Sequence, residues 1–219
     1  MGSEKRNILG LDIAYGAACA CLIRLDGKCF TRQGDTKQPH SQVIIPLLHS
    51  LLEEAGMDWP DLDMLALGIG PGSFTGLRIA TATMAGINSG LNLPLLEISS
   101  LAVTATQADT QEPLFVIEDA RSGLAYYGHY QEGEALSDDC CRTWEDMLQL
   151  EPGMYTSVNP CEDHLPDWPR VKPRLSRPEA MLSIIERSSR AIHNTEGMTR
   201  SAVPAYLIAS QAERNDSKP

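Results

Sequence analysis

The chain has 219 residues, of which 42% are hydrophobic and 21% are charged. This composition is typical of a globular protein and excludes a collagen-like chain or wholesale disorder. The length is sufficient for one large domain or two small ones. The formal net charge of −11 disfavours a protein that holds nucleic acid through its own electrostatic field.

The charge is unevenly spread along the chain. Residues 38–169 carry three arginines against twenty acidic residues, whereas both ends carry a small excess of basic residues. Any contact with a polyanion is therefore predicted to come from the ends of the chain or from a partner.

The six cysteines form neither a recognisable disulfide framework nor the spacing of zinc ligands. The first apolar run contains Asp12, which is atypical of the core of a signal peptide. No run of about 18 apolar residues predicts a membrane span. We therefore expect a cytoplasmic protein with no membrane partner.

The first quarter of the chain predicts antiparallel strands followed by a helix. Three short apolar runs predict strands, and the turn signal Asp26-Gly27 joins the last two. These strands span 7–13, 17–24 and 28–33. Helical spacing then predicts a helix over 41–56, with Ser41 as N-cap and Gly56 just past its end. Pro46 predicts a late start or a bend in that helix.

The next part of the chain predicts alternating strands and helices. Apolar runs and helix-compatible segments succeed one another, with a glycine-rich turn at 70–76 between the first strand and the first helix. The predicted order is strand, helix, strand, helix, at 63–69, 77–90, 93–98 and 99–108. Ser99 or Ser100 is the predicted cap of the last of these helices.

The second half of the chain has weaker patterns. Two strands are predicted at 113–118 and 123–130. The stretch 132–172 is acidic, contains several prolines and has little periodicity, so it predicts an irregular lobe. A last helix over 177–192 and a terminal strand over 203–208 complete the prediction.

The segment 68–78 follows a strand and opens a helix, where unpaired amide groups can bind an anion. It is not a P-loop, because no lysine occurs between Lys37 and Lys172. Its glycine spacing also differs from a dinucleotide fingerprint, and its serine spacing from a hydrolase elbow. Two interpretations stay open: a degenerate phosphate loop, or a structural turn in which Ser73 or Thr75 caps the helix. The candidate residues are Gly70, Pro71, Gly72, Ser73, Thr75, Gly76 and Arg78.

The other candidate residues are isolated. Asp12, at the end of the first predicted strand, either holds a magnesium ion or water beside a phosphate, or caps a turn. His40 and His49 are too far apart in sequence for a metal pair on one helical turn. Cys161 and His164 are close in sequence, but catalytic pairs of this kind are neighbours in space. No metal site is predicted.

Five segments together carry a family resemblance. The most specific is the glycine-rich segment 68–80, and the others are Ile8–Asp12, 39–46, 119–126 and 203–207. They resemble the TsaB (YeaZ) family. That family is the small subunit of the bacterial machinery that makes threonylcarbamoyladenosine at position 37 of tRNAs reading codons that begin with A.

The resemblance implies an α/β fold of the ASKHA type, the class of actin, Hsp70 and sugar kinases. Such a fold has two lobes, each built on a mixed β-sheet. The expected N-terminal lobe covers residues 1–108 and contains the glycine-rich turn. The expected C-terminal lobe, smaller and degenerate, covers residues 109–219.

The resemblance also implies an accessory subunit rather than an enzyme. The catalytic paralogue TsaD carries a metal-binding H-x-x-x-H motif, whose histidines fall here on Ser100 and Thr104, and neither residue type replaces imidazole. The expected partners are a TsaD-like catalytic paralogue and a TsaE-like ATPase. We expect no cofactor on this chain, with ATP or ADP and metal on the partners, and tRNA contact only through the complex.

Two residues depart from the family pattern. Ile13 follows Asp12 where the family usually has threonine, and this removes a hydroxyl suited to a phosphate. Ile208 follows the C-terminal Tyr-Leu pair where arginine is frequent. Nucleotide binding at the degenerate site around Asp12 is therefore not expected to be tight.

Two helices are expected to provide the partner interface. The apolar face of the first and the small residues of the second would form a bundle with the paralogue, or a homodimer when the chain is alone. The predicted contact residues are Ile44, Leu48, Leu52, Ile79, Thr83 and Ile87. The alternative function is a stand-alone ASKHA-type ATP-binding enzyme or a metallopeptidase.

Overall fold

The computed structural model describes residues 5–192, 194–196 and 198–207. Within them the chain forms two β-sheets flanked by α-helices. The strands are β1 (Ile8–Asp12), β2 (Cys19–Ile23), β3 (Cys29–Gln33), β4 (Met64–Gly70), β5 (Leu95–Ser99), β6 (Leu114–Arg121), β7 (Leu124–Gln131), β8 (Glu134–Ala135), β9 (Cys140–Thr143) and β10 (Tyr155–Thr156). The helices are α1 (His40–Ala55), α2 (Phe74–Leu91), α3 (Ser100–Gln107), α4 (Trp144–Met147) and α5 (Arg177–Ala191).

The first sheet has the strand order β3-β2-β1-β4-β5. β1 pairs antiparallel with β2, where Asp12 stands opposite Cys19, and parallel with β4, where Ile8 stands opposite Met64. The predicted succession of antiparallel strands, helix, strand and helix is therefore confirmed for this half of the chain.

The central strands of this sheet are apolar on both sides because helices cover both faces. α1 and α2 pack on the face that carries Leu9 and Leu11. α3 and α5 pack on the opposite face, which carries Ile8 and Cys21. The apolar face of α1 is thus used by the chain's own sheet.

The second sheet is less regular than the first. Its order is β10-β6-β7-β8, and β9 also pairs with β7. β6 and β7 are antiparallel, whereas β10 lies parallel to β6; β8 and β10 have only two residues each. Two mixed sheets with helices confirm the predicted α/β class and agree with an ASKHA-type fold whose second lobe is degenerate. The stretch 132–172 is more ordered than predicted, since it holds β8, β9, α4 and β10.

The start of α1 differs from the prediction. The helix begins at His40 with Pro39 at the N-cap, so Ser41 is not the cap. Pro46 lies inside the helix without delaying its start; the residue is exposed, so the carbonyl deprived of a donor can bond water. Gly56 ends the helix with a φ of 65°, as predicted.

The predicted terminal strand over 203–208 is wrong for its described part. Residues 203–207 form no strand, although the Ala205 amide donates to the Ile69 carbonyl at 2.7 Å. Pro204 has no amide hydrogen with which to extend a ladder. Ile208 lies outside the described residues.

Helix α5 follows the second sheet in the chain but packs on the first. Gly10 makes this approach possible, because a Cβ there would lie 2.7 Å from Ile185 Cδ1 and 2.8 Å from Cys21 Sγ. The packing carries Arg177, the first residue of α5, to the carboxyl end of β1. The lobe boundary after residue 108 stays a prediction.

The longest of the described helices is α2, with 18 residues. In the part of the chain that the structure describes, no helix combines the length and the apolar character needed to cross a bilayer.

Candidate functional site

A buried carboxylate lies at the carboxyl end of β1. Asp12 has no exposed surface. The Ser100 hydroxyl donates to Asp12 Oδ1 at 2.8 Å, and the Ala14 amide donates to the same oxygen at 3.3 Å. One carboxylate oxygen is therefore held by the loop after β1 and by the start of α3.

The other oxygen of Asp12 is paired with Arg177. Nε and Nη2 of the guanidinium both lie 2.5 Å from Asp12 Oδ2, and only 5% of the arginine is exposed. Burial disfavours the charged guanidinium, but the neighbouring Asp12 carboxylate outweighs this cost and raises the pKa of Arg177. Asp12 is thus neutralised from within the chain.

The remaining guanidinium hydrogens also meet acceptors. Arg177 Nη1 donates to Thr104 Oγ1 at 3.0 Å and to Gln107 Oε1 at 3.4 Å, and Nη2 donates to the Ser100 carbonyl at 3.0 Å. The guanidinium carbon lies 5.2 Å from the centre of the Tyr15 ring. Both positions on which the resemblance places a metal motif, Ser100 and Thr104, therefore contact this ion pair.

Gly68 makes room for the buried carboxylate. A Cβ on Gly68 would lie 2.5 Å from Asp12 Cγ and 2.7 Å from Asp12 Cβ, too close for any side chain. Because β4 lies beside β1, this glycine serves the packing of Asp12 rather than the binding of a ligand.

The glycine-rich turn 70–76 packs against the loop that follows β1. The Ser73 amide donates to the Ala14 carbonyl at 3.0 Å, and a Cβ on Gly72 would lie 2.8 Å from that same oxygen. Gly70 has a φ of 101°, which favours glycine. The chain's own backbone occupies the space beside the turn, which favours the structural interpretation over a phosphate loop.

Ser73 caps α2. Its hydroxyl accepts the Gly76 amide at 3.2 Å, and the helix begins at Phe74, earlier than predicted. Thr75, the other predicted cap, lies exposed within the first turn and is not the N-cap. Pro71, whose preceding peptide bond is cis, is buried.

Arg78 contacts the C-terminal segment instead of Asp12. Its guanidinium carbon lies 4.1 Å from the ring centre of Phe74, and its Nε donates to the Tyr206 hydroxyl at 3.4 Å. The two aromatic rings lie 5.0 Å apart. Arg78 therefore joins the first turn of α2 to the motif near the end of the chain.

A second buried carboxylate lies in β6 and was not found from the sequence. Glu118 accepts the Val158 amide at 2.5 Å and the Asn159 amide at 3.4 Å. Burial raises the pKa of the Glu118 carboxyl to about 7, although both amide bonds oppose this shift. Burial also raises the pKa of the Tyr15 hydroxyl, with a further contribution from the Glu118 charge.

The six predicted contact residues fall into two groups. Three on α1 lie in the chain's own core, so their prediction as contact residues is wrong: the apolar face of α1 covers the first sheet. These are Ile44, Leu48 and Leu52. Three on α2 are half-buried and keep part of their surface exposed. These are Ile79, Thr83 and Ile87.

The outer face of α2, defined by Ala82, Gly86 and Gly90, is exposed, small and uncharged. A Cβ on Gly86 or Gly90 would meet no atom within 4 Å. Internal packing therefore does not require these glycines, and each costs a helix interior about 1 kcal/mol relative to alanine. On α1, Ile45 is 46% exposed. It lies off the apolar stripe that is buried against the sheet, and this position could have identified it from the sequence as a candidate contact residue.

The sequence predicts Arg177 at the start of the last helix but assigns it no role. A signal was present, because the helix dipole opposes a cation in the first turn. An arginine at that position needs a compensating anion, and here the anion is Asp12.

The histidines and cysteines form no metal centre in the described residues, where no three His, Cys, Asp or Glu side chains group as ligands. Cys161 is buried and its thiol donates to the Asn159 carbonyl at 3.4 Å, while His164 stacks on Trp144. Both oxygens of Asp12 are engaged by the chain, so the residues present do not fit a magnesium ion there.

The family model described as "TsaD: tRNA N6-adenosine threonylcarbamoyltransferase" matches residues 34–161, more than half of the chain. The protein TsaB of Escherichia coli K12 is 33% identical over 130 residues, which are 58% of this chain and 56% of that protein. YeaZ from Pseudomonas aeruginosa is 26% identical, with a TM-score of 0.77 over 92% of this chain and 100% of that one. The chain belongs to the TsaB/YeaZ family.

Other relatives extend the similarity along the chain. An uncharacterised protein of Mycobacterium leprae is 27% identical over 218 residues, 97% of this chain and 56% of that protein. The chain thus spans just over half the length of these two curated relatives. The TsaD model match includes the glycine-rich turn and α2, but it begins after Asp12 and ends before Arg177. The two residues of the ion pair therefore lie outside the segment that the TsaD model matches.

Proposed function

We propose that this chain is a non-catalytic subunit in the formation of threonylcarbamoyladenosine at position 37 of tRNAs that read codons beginning with A. It binds a TsaD-like catalytic paralogue, holds that protein in its active form and helps to recruit a TsaE-like ATPase. Membership of the TsaB/YeaZ family supports the pathway, since the E. coli relative is named a tRNA threonylcarbamoyladenosine biosynthesis protein.

The observation that carries the non-catalytic role is the Asp12–Arg177 ion pair. A carboxylate at the end of a central strand is the chain's best candidate for acid–base or metal chemistry. Here it has no exposed surface, and both of its oxygens are bonded within the chain. Ser100 and Thr104 contact the same ion pair, so we assign ATP or ADP and metal to the partners.

The outer face of α2 supports the binding role. Small side chains let a second helix approach closely, since the distance between packed helix axes depends on the residues at the contact. Gly86 and Gly90 keep that approach open at a cost in helix propensity. Ile45 and Ile79 add partly exposed apolar surface. We assign this face to the paralogue and, when the chain is alone, to a second copy of itself.

The charge of the chain supports an indirect contact with tRNA. A net charge of −11 repels the phosphate backbone, so we assign tRNA affinity to the assembled complex. We assign the chain to the cytoplasm, where tRNA is modified.

An omission assay tests the proposed function. A TsaC-type synthase, TsaD, TsaE, tRNA, threonine, bicarbonate and ATP are combined with and without this chain, and modified adenosine is quantified. We expect modification only when the chain is present. Unchanged modification without it would contradict the proposal.

A second measurement distinguishes an accessory subunit from a stand-alone enzyme. The purified chain is assayed for ATP turnover and for bound zinc or iron. We expect neither. Robust hydrolysis, or metal in stoichiometric amount, would favour the alternative of an ATP-binding enzyme or a metallopeptidase.

A further inference from the structure

The groups that surround the Arg177 guanidinium resemble the lining of a ligand-binding site. A guanidinium carries five N–H donors in a fixed planar arrangement. In Arg177 these donors face Asp12 Oδ2, Thr104 Oγ1, Gln107 Oε1 and the Ser100 carbonyl, at distances from 2.5 to 3.4 Å. The surroundings therefore match both the charge and the shape of the group.

The acceptors around the guanidinium are held in place by other parts of the fold. The Ser100 hydroxyl accepts the Gly70 amide at 3.1 Å and donates to Asp12 Oδ1, which fixes the orientation of the carboxylate. Thr104 donates its hydroxyl hydrogen to the Ser100 carbonyl at 3.2 Å, so its oxygen is oriented to accept from Arg177. The site is thus organised by β4 and α3, whereas its occupant comes from α5.

The guanidinium also lies close to an aromatic ring. Its carbon lies 5.2 Å from the centre of the Tyr15 ring, within the range in which an aromatic face attracts a cation. Tyr15 and Arg177 are both buried, so water does not weaken this attraction. Hydrogen bonds, charge and an aromatic face together select a planar cation.

We propose that Asp12, Ser100, Thr104, Gln107 and Tyr15 form a cation-selective binding site, specific for guanidinium compounds, whose ligand in the native protein is Arg177. Arg177 thus supplies a cation at the carboxylate for which a magnesium ion was one of the sequence-based interpretations, and it keeps Asp12 from binding any other cation. The site belongs to the isolated chain and is independent of a role in tRNA modification.

The test removes the Arg177 side chain by mutation and adds the corresponding guanidinium compound in solution. In Arg177→Ala the deleted atoms correspond to ethylguanidinium, which is the probe. We expect the variant to unfold about 10 °C below the native chain, because a buried carboxylate has lost its partner. Ethylguanidinium chloride at about 10 mM should restore roughly 3–5 °C of that loss for a millimolar dissociation constant.

The controls separate recognition of a cation from simple filling of a cavity. Ethylurea has nearly the same shape without the charge, and sodium chloride supplies the ionic strength; neither should raise the midpoint. Asp12→Asn combined with Arg177→Ala removes the carboxylate and should abolish the response. Arg174→Ala, at an exposed arginine whose guanidinium donates to the Asp109 carbonyl, should neither lose much stability nor respond to the probe.

The test supports or overturns the proposal even if the variant does not fold in buffer. If Arg177→Ala does not fold in buffer, recovery of its near-ultraviolet circular dichroism in ethylguanidinium, and not in ethylurea, supports the site. Binding to the folded state shifts the equilibrium whatever the route of entry, so burial does not prevent the test. Equal responses to the two compounds, or no response to either, would overturn the proposal.

Discussion

The end of β1 and the outer face of α2 differ in how far the chain itself uses their residues. At the end of β1, the Asp12 carboxylate is bonded by the chain on both oxygens and has no exposed surface. On α2, Gly86 and Gly90 are exposed and a Cβ on either would meet no atom of the chain.

This difference bears on the proposed function. A group that reacts with a substrate must be reachable, and Asp12 is not. A surface that binds a partner must keep features that the monomer itself does not use, and Gly86 and Gly90 are such features. This contrast supports the proposal that the chain acts through contact on α2 rather than through chemistry at the end of β1.

The largest predicted effect comes from breaking the ion pair. Arg177→Met leaves the Asp12 charge buried without a partner and should lower the free energy of unfolding by about 3–5 kcal/mol. Urea unfolding at pH 7 measures this loss. Asp12→Asn combined with Arg177→Met should recover much of it, because a neutral pair carries no buried charge. A loss below about 1 kcal/mol in the single variant would contradict the buried ion pair.

The second effect is a pH dependence from Glu118. Its pKa is raised to about 7 in the folded chain, from 4.5 in the unfolded one. Its contribution to stability is therefore complete below pH 4.5 and is lost as the pH rises through 7. Glu118→Gln keeps an acceptor for the Val158 amide but does not titrate. Its stability relative to the native chain should rise between pH 5 and pH 8 by on the order of 2–3 kcal/mol.

Denaturant unfolding of both proteins at several pH values measures this difference. A matched substitution at the exposed Glu112, Glu112→Gln, should leave the shape of the profile unchanged. Parallel profiles for the native chain and Glu118→Gln would show that Glu118 has an ordinary pKa in the folded protein.

The third prediction applies the same substitution to both regions. Gly68→Ala places a methyl group against the Asp12 carboxylate and should cost about 1–3 kcal/mol. Gly86→Ala places it in open space within a helix and should add about 0.5–1 kcal/mol. Thermal unfolding measures both. If both substitutions raise stability, or both lower it, the contrast between the buried Gly68 and the open Gly86 is contradicted.

The smallest effect on stability is expected for Gly86→Arg, within about 0.5 kcal/mol of the native chain. Association should change far more, because a long charged side chain blocks the approach of a second helix. Sedimentation at tens of micromolar should show the native chain as a dimer and this variant as a monomer. Ala191→Arg, on the exposed end of α5, is the control and should remain dimeric. If Gly86→Arg remains a dimer, the outer face of α2 does not form the interface.

Local sequence patterns predicted the parts of the fold that depend on neighbouring residues. The central strands were found because their apolar runs are short and bounded by turns. Gly56 was predicted just past the end of α1, and Ser73 as one of two candidate caps of α2, because caps follow local rules. The terminal strand failed because apolar residues at 203–207 do not ensure a ladder where Pro204 lacks an amide hydrogen.

The ion pair could not be predicted in this way. Asp12 and Arg177 are 165 residues apart in sequence, and only the packing of α5 on the first sheet brings them together. The contact residues on α1 failed for a related reason. An apolar stripe such as that of Ile44, Leu48 and Leu52 shows that one face of the helix is buried. It does not show whether that face packs on the chain's own sheet or on a partner.

The most direct test compares the two regions in the reconstituted modification reaction. Gly86→Arg and the double variant Asp12→Asn/Arg177→Met, each shown to be folded, replace the native chain, and modified adenosine is quantified. We expect Gly86→Arg to lose most of the modification while the double variant retains it. Loss with the double variant and full modification with Gly86→Arg would contradict the account, since the function would then lie at the end of β1.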